Sequence, residues 1–168
     1  MSGRQLAAYG LRCTVPVGWD VRIERRQESA IPTPGSAVPL GGYVPMGGFV
    51  HPTLHAASSA LPSARGDYGS GYVERMTPND VFVSLLEFDV EAGETAMFLS
   101  GQPRSLSPSE FHPNAQQRIR KGMCGTQRFF TQGGRAFSLY VVMGSWLQRG
   151  RLVHQVNTFL SGIGISPK

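Results

Sequence analysis

The chain has 168 residues, 40% of them apolar, a formal net charge of +5 and two cysteines. This length fits one globular domain over residues 1–168, able to bury about 70% of the surface its unfolded form exposes. Cys13 and Cys124 are too few and too far apart for a zinc spacing motif or a Cys-x-x-Cys redox centre, and no apolar run is long enough for a signal core or a membrane span.

Taken in chain order, residues 10–15 predict a short strand ended by Pro16-Val17-Gly18-Trp19, where Pro and Gly break the ladder and turn Trp19 onto a neighbouring surface. Residues 20–26 alternate charge with Val21 and Ile23, the pattern of a strand with one wet face. From about 27 to 50 the chain is a Pro/Gly-rich surface insertion. Four prolines withhold donors there; the segment is expected to be an exposed insertion, with a docking arm as the alternative because Leu40, Tyr43 and Met46 supply apolar side chains unusual for a mere spacer.

Strands are expected over 53–61 and 81–88, with a glycine-rich turn between them at 66–71 and one more short strand at 95–99. Thr77-Pro78-Asn79-Asp80 resembles a helix start, but the β-branched and aromatic residues after it favour a strand. Ser107-Pro108-Ser109-Glu110 has the cap, the first-position proline and the acid of a single helical turn.

The last third is the most legible part. Gly133-Gly134 suits a two-residue hairpin turn and sets a register that pairs Phe130 with Phe137 and Arg128 with Leu139. Phe130, Phe137, Leu139 and Val141 then share one face, and Phe129, Tyr140 and Val142 the other, so the hairpin belongs in a sheet covered on both sides. Leu152, Val153, Val156, Phe159 and Leu160 form one stripe of a closing helix that starts at Arg149 and ends at Gly162, with Ile163 and Ile165 folded back behind it. The fold class is α+β, a largely antiparallel sheet with helices packed on its faces. The second face is expected to be covered by the Trp19 corner, the partners of strand 81–88 and residues 108–121.

Charge is unevenly placed. Residues 65–94 carry seven acids against Arg65 and Arg75, whereas residues 118–151 carry Arg118, Arg120, Lys121, Arg128, Arg135, Arg149 and Arg151 with no acid. Such a region attracts an acidic protein, an anion or nucleic acid. Arginine outnumbers lysine 14 to 2, a bias that a GC-rich genome produces unaided, and no nucleic-acid motif accompanies it. Arg149 and Arg151 stand at a helix start, where the dipole already favours an anion, so they need a compensating partner. The acidic stretch 87–94 of the same molecule is one candidate. The other is a carboxylate or phosphate of a partner, expected to be an acidic protein, bound by Arg149 and Arg151, with Arg135 as a third contact and Leu40, Tyr43 and Met46 on the insertion.

The two ends together, strand, Pro16-Val17-Gly18-Trp19, strand, and then hairpin and helix through Val156-Asn157-Thr158-Phe159-Leu160-Ser161-Gly162-Ile163-Gly164-Ile165, resemble the superfamily of the photosystem II extrinsic protein PsbP and the Ran-binding nuclear-import factor, most of all its uncharacterised actinobacterial cytoplasmic members. The resemblance covers residues 10–26 and 124–165. It implies a PsbP-like fold and a protein-binding or assembly module, a subunit or chaperone of a larger complex, rather than an enzyme. The chain departs from exported members in lacking a signal peptide and a lipobox cysteine, and in carrying the insertion; no functional residue of the family carries over.

Catalytic readings are sparse. His51 and His55, with His112 or His154, are the only metal-ligand candidates, and Cys124 among basic residues the only nucleophile candidate. No nucleophile elbow, phosphate loop or spaced carboxylate pair occurs. Two buried reduced thiols are expected, with a single long-loop disulfide as the alternative. The expectation is a cytoplasmic, non-catalytic protein-binding module without metal or cofactor, with anion or nucleic-acid binding by the basic third as the alternative.

Overall fold

The computed structural model describes residues 3–25 and 51–168. The insertion at 27–50, with Leu40, Tyr43 and Met46, lies outside them. The strands are β1 (Arg4–Ala8), β2 (Leu11–Val15), β3 (Asp20–Arg25), β4 (Pro52–Ala57), β5 (Val81–Phe88), β6 (Cys124–Gln132), β7 (Arg135–Met143) and β8 (Gly164–Ile165), with the helix α1 (Arg149–Ser161) before the last. Five strands form one antiparallel sheet in the order β3-β4-β5-β7-β6, and β1-β2-β8 form a second, also antiparallel. The molecule is thus a mixed α/β protein built on antiparallel sheets.

The β6–β7 hairpin has the expected register, with Arg128 opposite Leu139 and Phe130 opposite Phe137. Its turn places Gly133 and Gly134 at φ of 60° and 75°, the left-handed region that other residues avoid. Central β7 is buried along its whole length because β5 and β6 flank it and both sheet faces are covered. On the first face α1 lays down Leu152, Val153, Val156, Phe159 and Leu160 against Val83, Leu85, Phe137, Leu139 and Val141. Strand β2 turns Leu11, Cys13 and Val15 into the same core, and Trp19 stacks on Phe159 with ring centroids 5.3 Å apart.

The second face departs from expectation. Neither a helix nor Trp19 covers it. Trp19 lies on the helix side, and α1 is the only α-helix among the described residues. Cover comes from the irregular segment 58–76, where Leu61, Tyr72 and Val73 pack on Phe82, Tyr140 and Val142. Tyr68 meets Tyr140 edge-on at 5.3 Å. The glycine-rich turn is what allows this approach: Gly69 sits at φ +86°, and a Cβ there would lie 2.6 Å from the Phe82 ring.

Polar pins hold the segment down. Ser84 Oγ donates to Asp67 O at 2.6 Å. Arg65 Nε donates to His55 Nδ1 at 2.8 Å, which leaves Nε2 as the proton-bearing nitrogen that donates to Asp67 O at 2.9 Å.

Two further expectations change. Residues 96–98 form a 3-10 turn, not a strand, because only Phe98 turns inward, onto Phe88 and Phe129, while Met97 and Leu99 face out and no alternation is left to build a ladder. Residues 108–121 run along the β6 edge, bridged to it at His112 and Gly125, with Phe111 in the helix-side core, and they reach the second face where Gln117 N–H donates to Tyr140 Oη at 2.8 Å. The turn at Pro108–Glu110 has the expected reciprocal capping by Ser107 and Glu110. The tail returns as expected, with Ile163 buried and β8 paired to β2.

Candidate functional site

Three loops meet at the end of the sheet where Val81, Met143 and Cys124 lie side by side. The 77–80 turn is closed by Asp80, whose N–H donates to Thr77 O at 3.0 Å and whose Oδ2 accepts from Thr77 N–H at 2.8 Å. The loop before β6 is wound around buried Gln116, whose Nε2 donates to Pro113 O at 2.7 Å. Trp146 N–H donates to Gly122 O at 2.7 Å, tying the loop after β7 to the loop before β6. Arg151 Nη2 donates to Asn79 Oδ1 at 2.8 Å and ties α1 to the 77–80 turn. The end is therefore a cross-braced surface.

Its chemistry is mixed apolar and cationic. Ile119 is 65% and Leu147 89% exposed, which is unusual for aliphatic side chains so close to a core. Met76, Pro78, Ile119, Arg120, Lys121 and Met123 line an open cavity of about 510 Å³ between them. Arg118, Arg120, Lys121 and Arg151 are exposed around it, and Arg149 is half-buried. Arg149 lies over the Trp146 ring at 3.7 Å and donates from Nη1 to Trp146 O at 2.9 Å. The nearby acids are committed to the fold. Glu74 accepts from Gly71 N–H at 2.7 Å, and Asp80 accepts from Ser58 Oγ at 2.9 Å as well as from Thr77.

Arg149 and Arg151 thus share one surface, and Arg135 is not on it. Arg135 and Glu87 are both buried at the opposite end of the sheet in a two-pronged pair, Nε to Oε1 at 2.9 Å and Nη2 to Oε2 at 2.7 Å. The rest of the guanidinium donates to the carbonyls of Tyr9, Gly10 and Ser166. A planar five-donor fork saturated in this way serves the interior. Sequence reasoning missed Ile119 and Leu147 as surface features. The signal was there: single aliphatics among cations with no helical or strand period.

The candidates for chemistry are scattered. His51 Nε2 is 2.7 Å from Asp89 Oδ1, His55 is locked under the 58–76 segment, and His112 and His154 are exposed elsewhere. No group of three or more His, Cys, Asp or Glu among the described residues is placed to hold a metal. Both cysteines are free and buried, and burial pushes each thiol from an ordinary 9.0 up to about 11. The folded chain therefore holds those protons where the unfolded chain releases them. This contribution to stability is full below about pH 9 and is lost as pH climbs toward 11. A thiol reagent at pH 8 is expected to label neither cysteine in the native protein and both in urea, and the urea midpoint is expected to fall between pH 8 and pH 10.5. Prompt native labelling of Cys124 would show it to be an accessible thiolate.

No family model, curated protein or solved structure matches the chain. No helix among the described residues is long and apolar enough to cross a membrane.

Proposed function

We propose that the protein is a non-catalytic, cytoplasmic protein-binding or assembly module of PsbP-like architecture, which docks an acidic partner on the basic, apolar end of its main sheet. The observation that carries this reading is the placement of Ile119 and Leu147, openly exposed, among Arg118, Arg120, Lys121, Arg149 and Arg151 on loops braced to one another. Such a surface has the parts of an interface, apolar anchors within a charged rim that steers encounter and fixes register. Nothing in it requires a metal, a cofactor or a nucleophile.

The same cations also suit a phosphate-rich ligand, which makes anion or nucleic-acid binding the second reading. Salt separates the two. Binding dominated by phosphate contacts loses affinity steeply between low and physiological salt, whereas contact anchored on Ile119 and Leu147 retains most of it.

Reversing Arg149 and Arg151 to glutamate inverts the local charge and gives up the Arg149–Trp146 stack and the Arg151–Asn79 tie, both at the edge of the core. The fold is expected to stay intact, since acids complement the start of α1 and offset the loss of these two surface contacts. Capture of the partner from the native host at physiological salt is expected to weaken by about tenfold or more. Unchanged capture would make the two arginines a solvated surface and end this reading.

A further inference from the structure

The opposite end of the main sheet carries the complementary surface. Strand β5 runs about 23 Å from Val81 at the basic end to Phe88, where the chain enters the turns Val90–Glu94 and Ala96–Phe98. These turns are fixed to the hairpin: Thr131 N–H donates to Ser100 O at 2.9 Å, Thr131 Oγ1 donates to Phe98 O at 3.0 Å, and Phe98 is buried on Phe88 and Phe129. With Phe98 turned inward, Val90, Met97 and Leu99 are left 45%, 62% and 76% exposed. Glu91 and Glu94 stand exposed among them, and no lysine or arginine lies between residues 76 and 103 of the chain; exposed cations at this end, Arg25 at the end of β3 and Lys168 bonded to the hairpin turn through Gly133, belong to other segments. Glu87 is consumed by Arg135, so Glu91 and Glu94 carry the outward charge of these turns, with Asp89 paired to His51.

One pole therefore presents aliphatic side chains among cations, and the other presents aliphatic side chains among carboxylates. We infer that the occupant of the basic pole is the acidic pole of a second copy of this chain, so that the protein associates head to tail. The inference rests on the docking reading above and supplies its partner. The net charge of +5 on each copy opposes association in every arrangement, and the pole-to-pole arrangement is the one in which opposite local charges meet to offset it. The contact is heterologous. Because its two halves face away from each other along the strand axis, each added copy leaves both kinds of pole open, and the product is a linear chain rather than a closed dimer. Arg118, Arg120, Lys121, Arg149 and Arg151 would meet Glu91 and Glu94, with Ile119 and Leu147 against Met97 and Leu99.

Sedimentation of the purified full chain tests this. The wild type is expected to show a mass that rises continuously with concentration at low salt and falls back toward the monomer at high salt. R149E/R151E and E91K/E94K are each expected to associate about tenfold more weakly. An equimolar mixture of the two variants is expected to recover association, because the intact acidic pole of the first meets the intact basic pole of the second and the two reversed poles also match. Circular dichroism of each variant establishes that it is folded. A wild type that stays monomeric at every concentration, a discrete dimer insensitive to E91K/E94K, or a mixture that stays monomeric would overturn head-to-tail association. Each of those results leaves the docking reading to be decided by capture of a different acidic protein, which R149E/R151E alone governs.

Discussion

Replacing Arg135 with alanine is expected to destabilise the fold by about 3–5 kcal/mol, the cost of leaving a buried carboxylate without its counter-ion. The Glu87 side chain is 3% exposed, and both its oxygens are taken up by Arg135. The variant also removes the donors that serve the carbonyls of Tyr9, Gly10 and Ser166, each of which then needs water. Replacing the pair together, Arg135→Met with Glu87→Leu, is expected to recover part of the loss. Apolar residues of similar volume substitute well for buried ions, but they cannot satisfy three backbone acceptors. Urea unfolding followed by tryptophan emission gives both numbers. A loss below about 1 kcal/mol for the single variant would mean that water reaches Glu87, and full recovery in the double variant would mean that the backbone bonds are worth nothing.

Phe159→Ala is expected to cost about 3–5 kcal/mol, in the range of large aromatic truncations in closed cores. The ring is fully buried and stacked on Trp19, and it joins α1 to the corner between β2 and β3. Phe159→Leu keeps most of the volume and is expected to cost about 1.5 kcal/mol or less. The alanine variant should also shift Trp19 emission to the red as water enters, which separates a local cavity from general loosening. An effect below about 1 kcal/mol would mean that neighbouring side chains collapse into the space, contrary to the close packing seen around it.

How far the sequence could be read depended on whether an element announces itself by period. The β6–β7 hairpin and α1 could be read almost to the residue, because two glycines fix a register and a five-residue stripe fixes a face. Strand β1 was not legible. Its burial is slight, its apolar content weak, and it exists because the two-residue turn at Tyr9 and Gly10 folds it back on β2. The cover of the second face was hidden for a different reason. Residues 58–76 have no period at all, and their hold on the sheet comes from Tyr68, Tyr72 and the Arg65–His55 contact, which only the folded chain brings together.

The same difference governs the candidate site. The cationic bias of residues 118–151 was plain in the sequence, but a list of charges does not say which of them face out. Arg135 and Arg149 look alike in one dimension. One is clamped beneath the chain by Glu87, while the other lies over the Trp146 ring. The apolar half of each pole gave only a faint signal, single aliphatics such as Ile119, Leu147 or Leu99 outside any helical or strand period, and such a residue shows itself as a surface feature only once its neighbours are known.

The reach of Arg135 bears on how the protein is made. Its guanidinium joins residues 125 and 126 positions away at Gly10 and Tyr9, and the same cluster includes Ser166, whose N–H donates to Gly10 O at 2.8 Å. On the ribosome, β2 is made long before its partner β8 and this latch. Until residue 166 has cleared the exit tunnel, Leu11, Cys13 and Val15 have neither α1 nor β8 to bury them. The nascent chain thus carries β2 uncovered until the distant β8 has been made, the stage at which holding chaperones act, and closes an early strand with one synthesised long after it.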